Sequence, residues 1–323
     1  MTEPAAAPPS TNTAFIPGTF HQFAWDSTSL GELKTCPQKY FLSVVQGWVP
    51  RLRSVHLTFG LVYHSAGEHY EHAKARGLDH DAAVLVAVRH TLEATWDKAL
   101  GRPIEMDDQY KNRETLVRTV VWHLDQFRED ALETVILDDG RPAIELSFRF
   151  ETTYQAPNGQ PYLLCGHLDR LATMQDHTYV VDKKTTKHTL EGVSGNAFYA
   201  TFSPDNQMSL YSFASKIVYQ TPVSGVIIDA AQIAVSFSRF QRGFVSRTES
   251  QLAEWYDDLG WWLAVAESYA AAGKWPMNDK ACGNYGGCPF RPICSKPPEA
   301  RETWLKATFA RRVWDPLQVR GDI

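Results

Sequence analysis

Two strand-like runs, residues 162–174 and 178–185, carry Asp169 on the first and Asp182 with Lys184 on the second. Closed into a hairpin about Gln175 and Asp176, they pair residues whose numbers sum to 351, as 169 and 182 do. The two carboxylates then face each other with Cβ atoms roughly 4.5–5.5 Å apart, and opposed like charges destabilise a strand pair unless positive charge stands between them. A divalent metal supplies that charge. Side chains alternate faces with period 2, so Lys184 shares a face with Asp182 and brings its ammonium to the same spot. Two carboxylates and a lysine about one ion suit phosphoryl hydrolysis, in which the ion lowers the pKa of water and cations offset developing phosphate charge. An odd-length loop would shift the register and separate the pair. The plain alternative is two solvated strand aspartates and a surface lysine.

More of the chain falls into line with the hairpin. Gly60-Leu-Val-Tyr-His64 lies on a helical segment, Glu145 on an amphipathic strand, then come Gly166-His-Leu-Asp169, Asp182-Lys-Lys184 and Gln207-Met-Ser-Leu-Tyr211 on a further helical segment. In order and spacing these five motifs resemble the RecB-like branch of the PD-(D/E)XK nuclease superfamily, in particular the CRISPR-associated RecB-like exonucleases and the AddB nuclease domain. The resemblance spans roughly residues 25 to 295. It implies an α/β fold with a mixed central sheet flanked by helices, preceded by an N-terminal helical insertion. It also implies that His64, Asp169 and Asp182 ligate Mg2+ or Mn2+ with help from the Lys183 carbonyl, and that Lys184 is the catalytic lysine. Gln207 and Tyr211 would stand in the helix beside the site, available to DNA. Asp182 departs from the glutamate of many relatives; the arm is shorter and the charge is kept. Glu145 offers a further carboxylate from the first strand. On the helix of His64, Glu68 and Glu71 project from the same side.

Length and composition agree with a globular enzyme. For 323 residues the prior is about two domains, and 44% hydrophobic with 12% aromatic residues excludes a disordered chain. No stretch approaches the ~18 apolar residues of a membrane helix, so no membrane partner is expected. Residues 1–18, rich in Ala, Pro and Thr, read as a disordered leader without a basic start or apolar run, and a cytoplasmic location is expected. A formal net charge of -5 gives no bulk attraction to nucleic acid. DNA binding would then use local groups such as Lys183, Lys184, Lys187, Arg51, Arg53, Arg239, Arg242 and Arg247. No G-x-x-x-x-G-K-[ST] loop occurs, so any unwinding falls to a helicase, recombination or CRISPR adaptation partner.

Helices precede the sheet. Ser29 and Glu32 read as a capping box before a helix carrying Cys36. Residues 57–76, 82–100 and 114–135 read as helices, 143–154 as an alternating strand, and Asn158-Gly159 as a hairpin turn. Residues 203–219 read as helix, 223–237 as strand-rich, and 249–272 as a long helix whose Trp255, Trp261 and Trp262 belong to the core. The expected division is residues 1–18 leader, 19–55 N-terminal helix segment, 56–142 helical region, 143–275 nuclease core, 276–296 cysteine cluster and 297–323 tail.

The five cysteines divide four to one. Cys282, Cys288 and Cys294 form a C-x5-C-x5-C cluster, Cys36 lies far upstream, and Cys165 sits in an apolar strand as a buried bystander. Thiols in a chain with no signal peptide bind metal more often than they form disulfides. The tight knuckles of a zinc ribbon are absent, and four loosely spaced thiolates suit a 4Fe-4S cluster, with zinc or plain structural thiols open. The resemblance implies the same clasp of one N-terminal and three C-terminal cysteines. The sum of these readings is a metal-dependent exonuclease on single-stranded or end-exposed DNA with a structural iron-sulfur cluster. Against it stand a non-catalytic DNA-binding or assembly subunit of a recombination, repair or CRISPR adaptation complex, and a zinc-stapled phosphoester hydrolase.

Overall fold

The computed structural model describes residues 14–52, 54–219 and 222–319, so most of the leader expected over residues 1–18 lies outside the described residues. The chain forms two compact units. One draws on the N-terminal stretch ending at Leu52, on Arg149–Gly166 and on Glu249–Val319; the other on the segment ending at Phe148 and on His167–Thr248.

The principal elements, in chain order, are β1 (Ala24–Trp25), α1 (Ser27–Thr35), α2 (Val55–Ala75), α3 (His80–Ala94), α4 (Arg113–Gln126), β2 (Glu133–Thr134), β3 (Ile144–Gln155), β4 (Pro161–Met174), β5 (His177–Thr186), α5 (Asn206–Val218), β6 (Gly225–Ile233), β7 (Ser238–Val245) and α6 (Glu249–Ala272). In the second unit the sheet is mixed, as expected. β4 and β5 run antiparallel, β5 and β6 parallel, β6 and β7 antiparallel, and β2 adds to β4. All nine residues of β6 are buried, which is the pattern of a central strand covered on both faces. A parallel neighbour needs a crossover, and the return from β5 to β6 includes α5. Asp205 caps α5 by accepting the Met208 N–H, which sets Gln207 in the first turn.

Helices α2, α3 and α4 cover one face. Phe59, Val62, Tyr63, Ala66 and Tyr70 of α2 recur at helical spacing and pack with Leu116, Val120 and Leu124 of α4 and with Ala231, Ile233 and Phe240 of the sheet. Two of these helices end earlier than their apolar pattern predicts. α3 stops at Ala94, where the Thr95 hydroxyl bonds back to the Thr91 carbonyl, and Trp96–Asp97 then pairs with Arg102–Pro103. α4 stops at Gln126 because Glu133–Thr134 is taken as an edge strand on β4 and the Leu132 carbonyl accepts from Arg170.

In the first unit β1 pairs with Leu163 and Leu164 of β4. The cap of α1 is Asp26 rather than Ser29: its carboxylate accepts the Ser29 N–H at 2.8 Å and the Ser29 hydroxyl at 2.6 Å. Ala14 and Phe15 are buried there. The core placement expected of Trp255, Trp261 and Trp262 fails, with Trp261 76% exposed and the other two half-buried, because the buried stripe of α6 is Leu252, Leu259, Leu263, Ala266 and Ala270.

Gly225 opens β6 with φ 155°, and a Cβ there would meet the Val245 carbonyl oxygen at 2.5 Å. Gly225→Ala is therefore expected to lower stability by about 1–3 kcal/mol. The shift of the urea midpoint against Gly31→Ala, whose Cβ meets nothing within 4 Å and whose backbone is helical, measures it.

Candidate active site

The hairpin that carries the carboxylates turns on two residues. Gln175 and Asp176 have φ 49° and 63°, the left-handed pair of a type I′ turn, which matches the twist of the flanking strands. The register follows: Met174 pairs His177, and the ladder continues to Arg170 opposite Val181, so every pair sums to 351. It stops there. Asp169 and Asp182 stand at the next position, and Asp169 Oδ2 accepts the Lys183 N–H at 3.1 Å in place of a ladder bond.

Around that point the other elements deliver their side chains. His64 on α2 places Nδ1 3.1 Å from Asp169 Oδ2. Lys184 Nζ lies 2.6 Å from Asp182 Oδ2 and donates to Gln207 Oε1 at 3.0 Å, and Gln207 Nε2 donates to the Tyr211 hydroxyl at 2.8 Å. Lys183 alternates to the opposite face, where α2 approaches so closely that a Cβ on Gly67 would lie 2.8 Å from its Cε. Its side chain is buried. A small cavity is lined by His64, Glu68, Glu145, Asp169, Arg170 and Lys183. Glu145 sits at the start of β3 with φ 48°, a conformation that costs a non-glycine residue about 1 kcal/mol or more. Thus His64, Asp169, Asp182, Lys184, Gln207 and Tyr211 are brought together, and Glu145 borders the same cavity.

Other residues singled out in the sequence are engaged elsewhere. Arg242 forks onto Asp130 at 2.6 and 2.7 Å, Arg239 pairs with Glu191, Lys187 pairs with Asp108, and Arg247 donates to Ser209 and to the Phe202 carbonyl. Arg53 lies outside the described residues. Glu71, on the His64 side of α2, is taken by Arg170 at 2.8 Å. The sequence offered no signal for that pair beyond its neighbours, since charge alone does not choose a partner across the fold.

Electrostatics separates the two aspartates. Burial pushes Asp169 up, but the His64 charge and hydrogen bond, Lys184 and the Lys183 N–H outweigh it and hold the carboxyl well below the usual range. Burial raises Asp182, and Asp169 adds to the rise against the pull of Lys184. Lys184 and His64 are both lowered by burial and raised further by the aspartates, with a net upward shift for each. Burial and the two aspartates drive the Tyr211 hydroxyl well above its ordinary value.

These groups fit a hard cation. Asp182 is 1% exposed and its Oδ2 has the Lys184 ion pair, off the angle of a hydrogen bond, so a buried carboxylate oxygen is left without a hydrogen-bond donor. Hard divalent ions take such oxygens. Among the described residues no three His, Cys, Asp or Glu side chains are already closed about a metal position. The His64 imidazole and the Lys184 ammonium hold the carboxylates instead.

The thiols gather in the other unit. Cys36, Cys288 and Cys294 are half-buried and free, as is Cys282. Burial pushes the Cys294 thiol up to about 11, and the charges of Cys288, Cys36 and Cys282 add to it; Cys288 is raised by burial and by Cys36 and Cys282. Four thiols thus lie within one another's field. The Asn278 N–H points at Cys36 Sγ at 3.3 Å, and the Cys288 N–H bonds the Cys282 carbonyl at 3.0 Å. Cys165 stands apart, buried, with its thiol 3.3 Å from the Trp25 carbonyl.

The His64–Asp169 pair has a pH signature. His64 is raised above 6.5, so its stabilisation is complete below that value and is lost as pH rises through the higher folded value. Asp169 is lowered from 3.8, so its share is lost only as pH falls through the folded value. In metal-free protein, His64→Ala is expected to be less stable than wild type between about pH 4 and 6.5, with the gap closing at higher pH. Urea midpoints across pH 4.5–9 check this.

Comparison with known proteins gives three results. No curated protein sequence matches the chain. Among solved structures it is similar to a protein from Eubacterium rectale provisionally assigned as an exonuclease, at 10% identity and a TM-score of 0.46, over 81% of this chain and 86% of that one. It is also similar to the protein SSO0001, at 14% identity and a TM-score of 0.28, over 57% of this chain and 76% of that one. The sequence matches a family as well, over residues 25–295, a span that holds every residue of the carboxylate–lysine site: the chain belongs to the PD-(D/E)XK nuclease superfamily.

Proposed function

We propose that this protein is a divalent-metal-dependent deoxyribonuclease, an exonuclease acting on single-stranded or end-exposed DNA, with a structural 4Fe-4S cluster. One observation carries the catalytic reading. A buried carboxylate, Asp182, and a half-buried one, Asp169, stand side by side with Lys184 2.6 Å from the first. A structural core has little use for that arrangement, since each buried ion costs several kcal/mol to desolvate.

His64, Asp169 and Asp182, with the Lys183 carbonyl, would hold Mg2+ or Mn2+. The bound ion supplies an acidic water and offsets charge on the scissile phosphate. Lys184 then carries the remaining positive charge at the phosphodiester and orients the attacking water through its ammonium. Gln207 fixes that ammonium, and Tyr211 in turn fixes Gln207, so the donor arrives oriented. Glu145 is placed to hold a further water or the ion. The RecB-like branch, a helicase, recombination or CRISPR adaptation partner, and a cytoplasmic location belong to the same proposal. Among the described residues no helix is long and apolar enough to cross a membrane.

The iron-sulfur reading is supported by four thiols within one another's field and by the N–H aimed at Cys36, a kind of contact that tunes cluster sulfurs. Its role would be to tie the N-terminal helix segment to the C-terminal cysteine cluster.

Asp182→Asn and Lys184→Ala are each expected to lower cleavage of end-labelled single-stranded linear DNA with Mg2+ or Mn2+ by at least about 10²-fold while the circular dichroism melt stays cooperative. Closed circular single strands should resist the wild type. Wild-type rates in either variant sink the site; equal cutting of circles makes the enzyme an endonuclease.

Protein purified without oxygen should be brown and contain iron and sulfide, and Cys288→Ser should lose the colour and melt earlier. Iron and zinc analysis settles this, with stoichiometric zinc in colourless protein reversing the choice of cofactor and leaving the nuclease proposal standing.

A further inference from the structure

On the face of β5 opposite to Asp182 and Lys184 there is a second cavity, of about 300 Å³, at the lower end of the range for small-ligand pockets. Lys183 lines it. The strand register allows that residue no other direction, because it is locked opposite Asp229 of β6 and flanked by two residues that point to the catalytic face. Gly67 on α2 makes room for it: a Cβ there would stand 2.8 Å from the lysine Cε and 3.3 Å from Nζ.

Three of the four acids on the cavity wall are already engaged, and the fourth, Glu133, is exposed. Arg170 Nη1 holds Glu71 at 2.8 Å, the Arg242 fork holds Asp130 at 2.6 and 2.7 Å, and His123 Nε2 contacts both oxygens of Asp229 at 3.2 and 3.1 Å with Arg242 3.7 Å away. Lys183 feels Asp229 through space and helps hold that carboxyl ionised. Yet the lysine is 6% exposed, and its ammonium makes no hydrogen bond or ion pair to any described residue. A buried ammonium without a contact partner is costly, and an open volume beside it is where a partner would sit. Beside it the wall has an apolar and aromatic stretch, Leu124, Phe127 and Leu132, while Lys74, Arg128, Glu133 and Thr134 also line the volume.

A cation with no partner and an aromatic, apolar wall within one volume suit a ligand that joins an anionic group to a flat ring. We infer that this cavity binds a phosphate monoester, that of a 5′-mononucleotide, with the Lys183 ammonium on the phosphate and the ring against the Phe127 side. Phosphate binding here is independent of the nuclease reading; only the choice of a nucleotide, the kind of molecule an exonuclease releases, rests on it.

The test uses the full-length chain without divalent metal or DNA, so a failure of the nuclease reading does not touch it. Inorganic phosphate and thymidine 5′-monophosphate are titrated by calorimetry into wild type, Lys183→Met, Gly67→Ala and Lys184→Met. Expected are one site in the wild type, tighter for the nucleotide, and at least tenfold weaker binding of both ligands in Lys183→Met. Gly67→Ala, which presses on the same lysine, should weaken both as well, and Lys184→Met should bind as wild type does. Removing an unpartnered ammonium should leave Lys183→Met at least as thermally stable, and Gly67→Ala gives a second reading if it is not. No binding by wild type, equal binding by Lys183→Met, or loss in Lys184→Met instead overturns the site. Phosphate binding as tight as the nucleotide's overturns the nucleotide.

Discussion

A buried carboxylate, Asp182, and a half-buried one, Asp169, meet at one point of a strand pair, and that point sets conditions on everything near it. Each needs several kcal/mol to leave water, and they raise one another's cost by repulsion. The fold answers with unequal environments. Asp169 receives an imidazole and a backbone N–H and stays ionised, whereas Asp182 receives one ammonium and no hydrogen-bond donor at Oδ2 and is pushed toward its protonated form. Under the proposed function, a cation bound between them would offset that repulsion. The register that opposes the pair rests on a two-residue turn, and a slip of one position would bring Arg170 to the face of Asp182 and Lys184 and send Asp169 beneath α2.

The helices serve that point from both faces of the sheet. α2 brings His64 to Asp169 while its Gly67 admits the Lys183 side chain, so one helix both supplies the site and clears space behind it. α5 belongs to the crossover that a parallel β5–β6 pair demands, and its cap at Asp205 fixes where Gln207 meets Lys184. Backbone topology and the geometry of the carboxylate–lysine cluster are here the same requirement.

The hairpin, its register and the helix of His64 were legible in the sequence because each is local: a period of 2, a period of 3.6, and a two-residue turn between apolar runs. What escaped depends on partners far along the chain. α4 ends before its apolar pattern does because β4 takes residues 133–134 as an edge strand, and β7 follows β6 with a pattern that read only as scattered arginines. Arg242 has the composition of a phosphate contact and the position of a buried fork on Asp130. The box of Ser29 and Glu32 lost to Asp26 and Ser29, since both pairs share a residue and a cap tolerates one geometry. Trp261 is exposed because a 24-residue helix with a narrow aliphatic stripe leaves even its largest side chains outside when they fall off that stripe.

Glu145 shows how a site can be marked by backbone as well as by charge. Its φ of 48° is unusual for a side chain with a Cβ, and such strain persists only where the surroundings over-determine it. The surroundings here are the Ala143 carbonyl, which accepts the Leu171 N–H at 2.9 Å and so ties the start of β3 to the strand of Asp169, and the burial of Ile144 and Leu146 on either side. With those two neighbours pinned into the core, the residue between them is left at the cavity that His64 and Asp169 also line. An outward strand glutamate needs no such backbone. One held at the cavity of His64 and Asp169 has it, and under the proposed function a bound cation would find there a fourth oxygen beside those of Asp169, Asp182 and the Lys183 carbonyl.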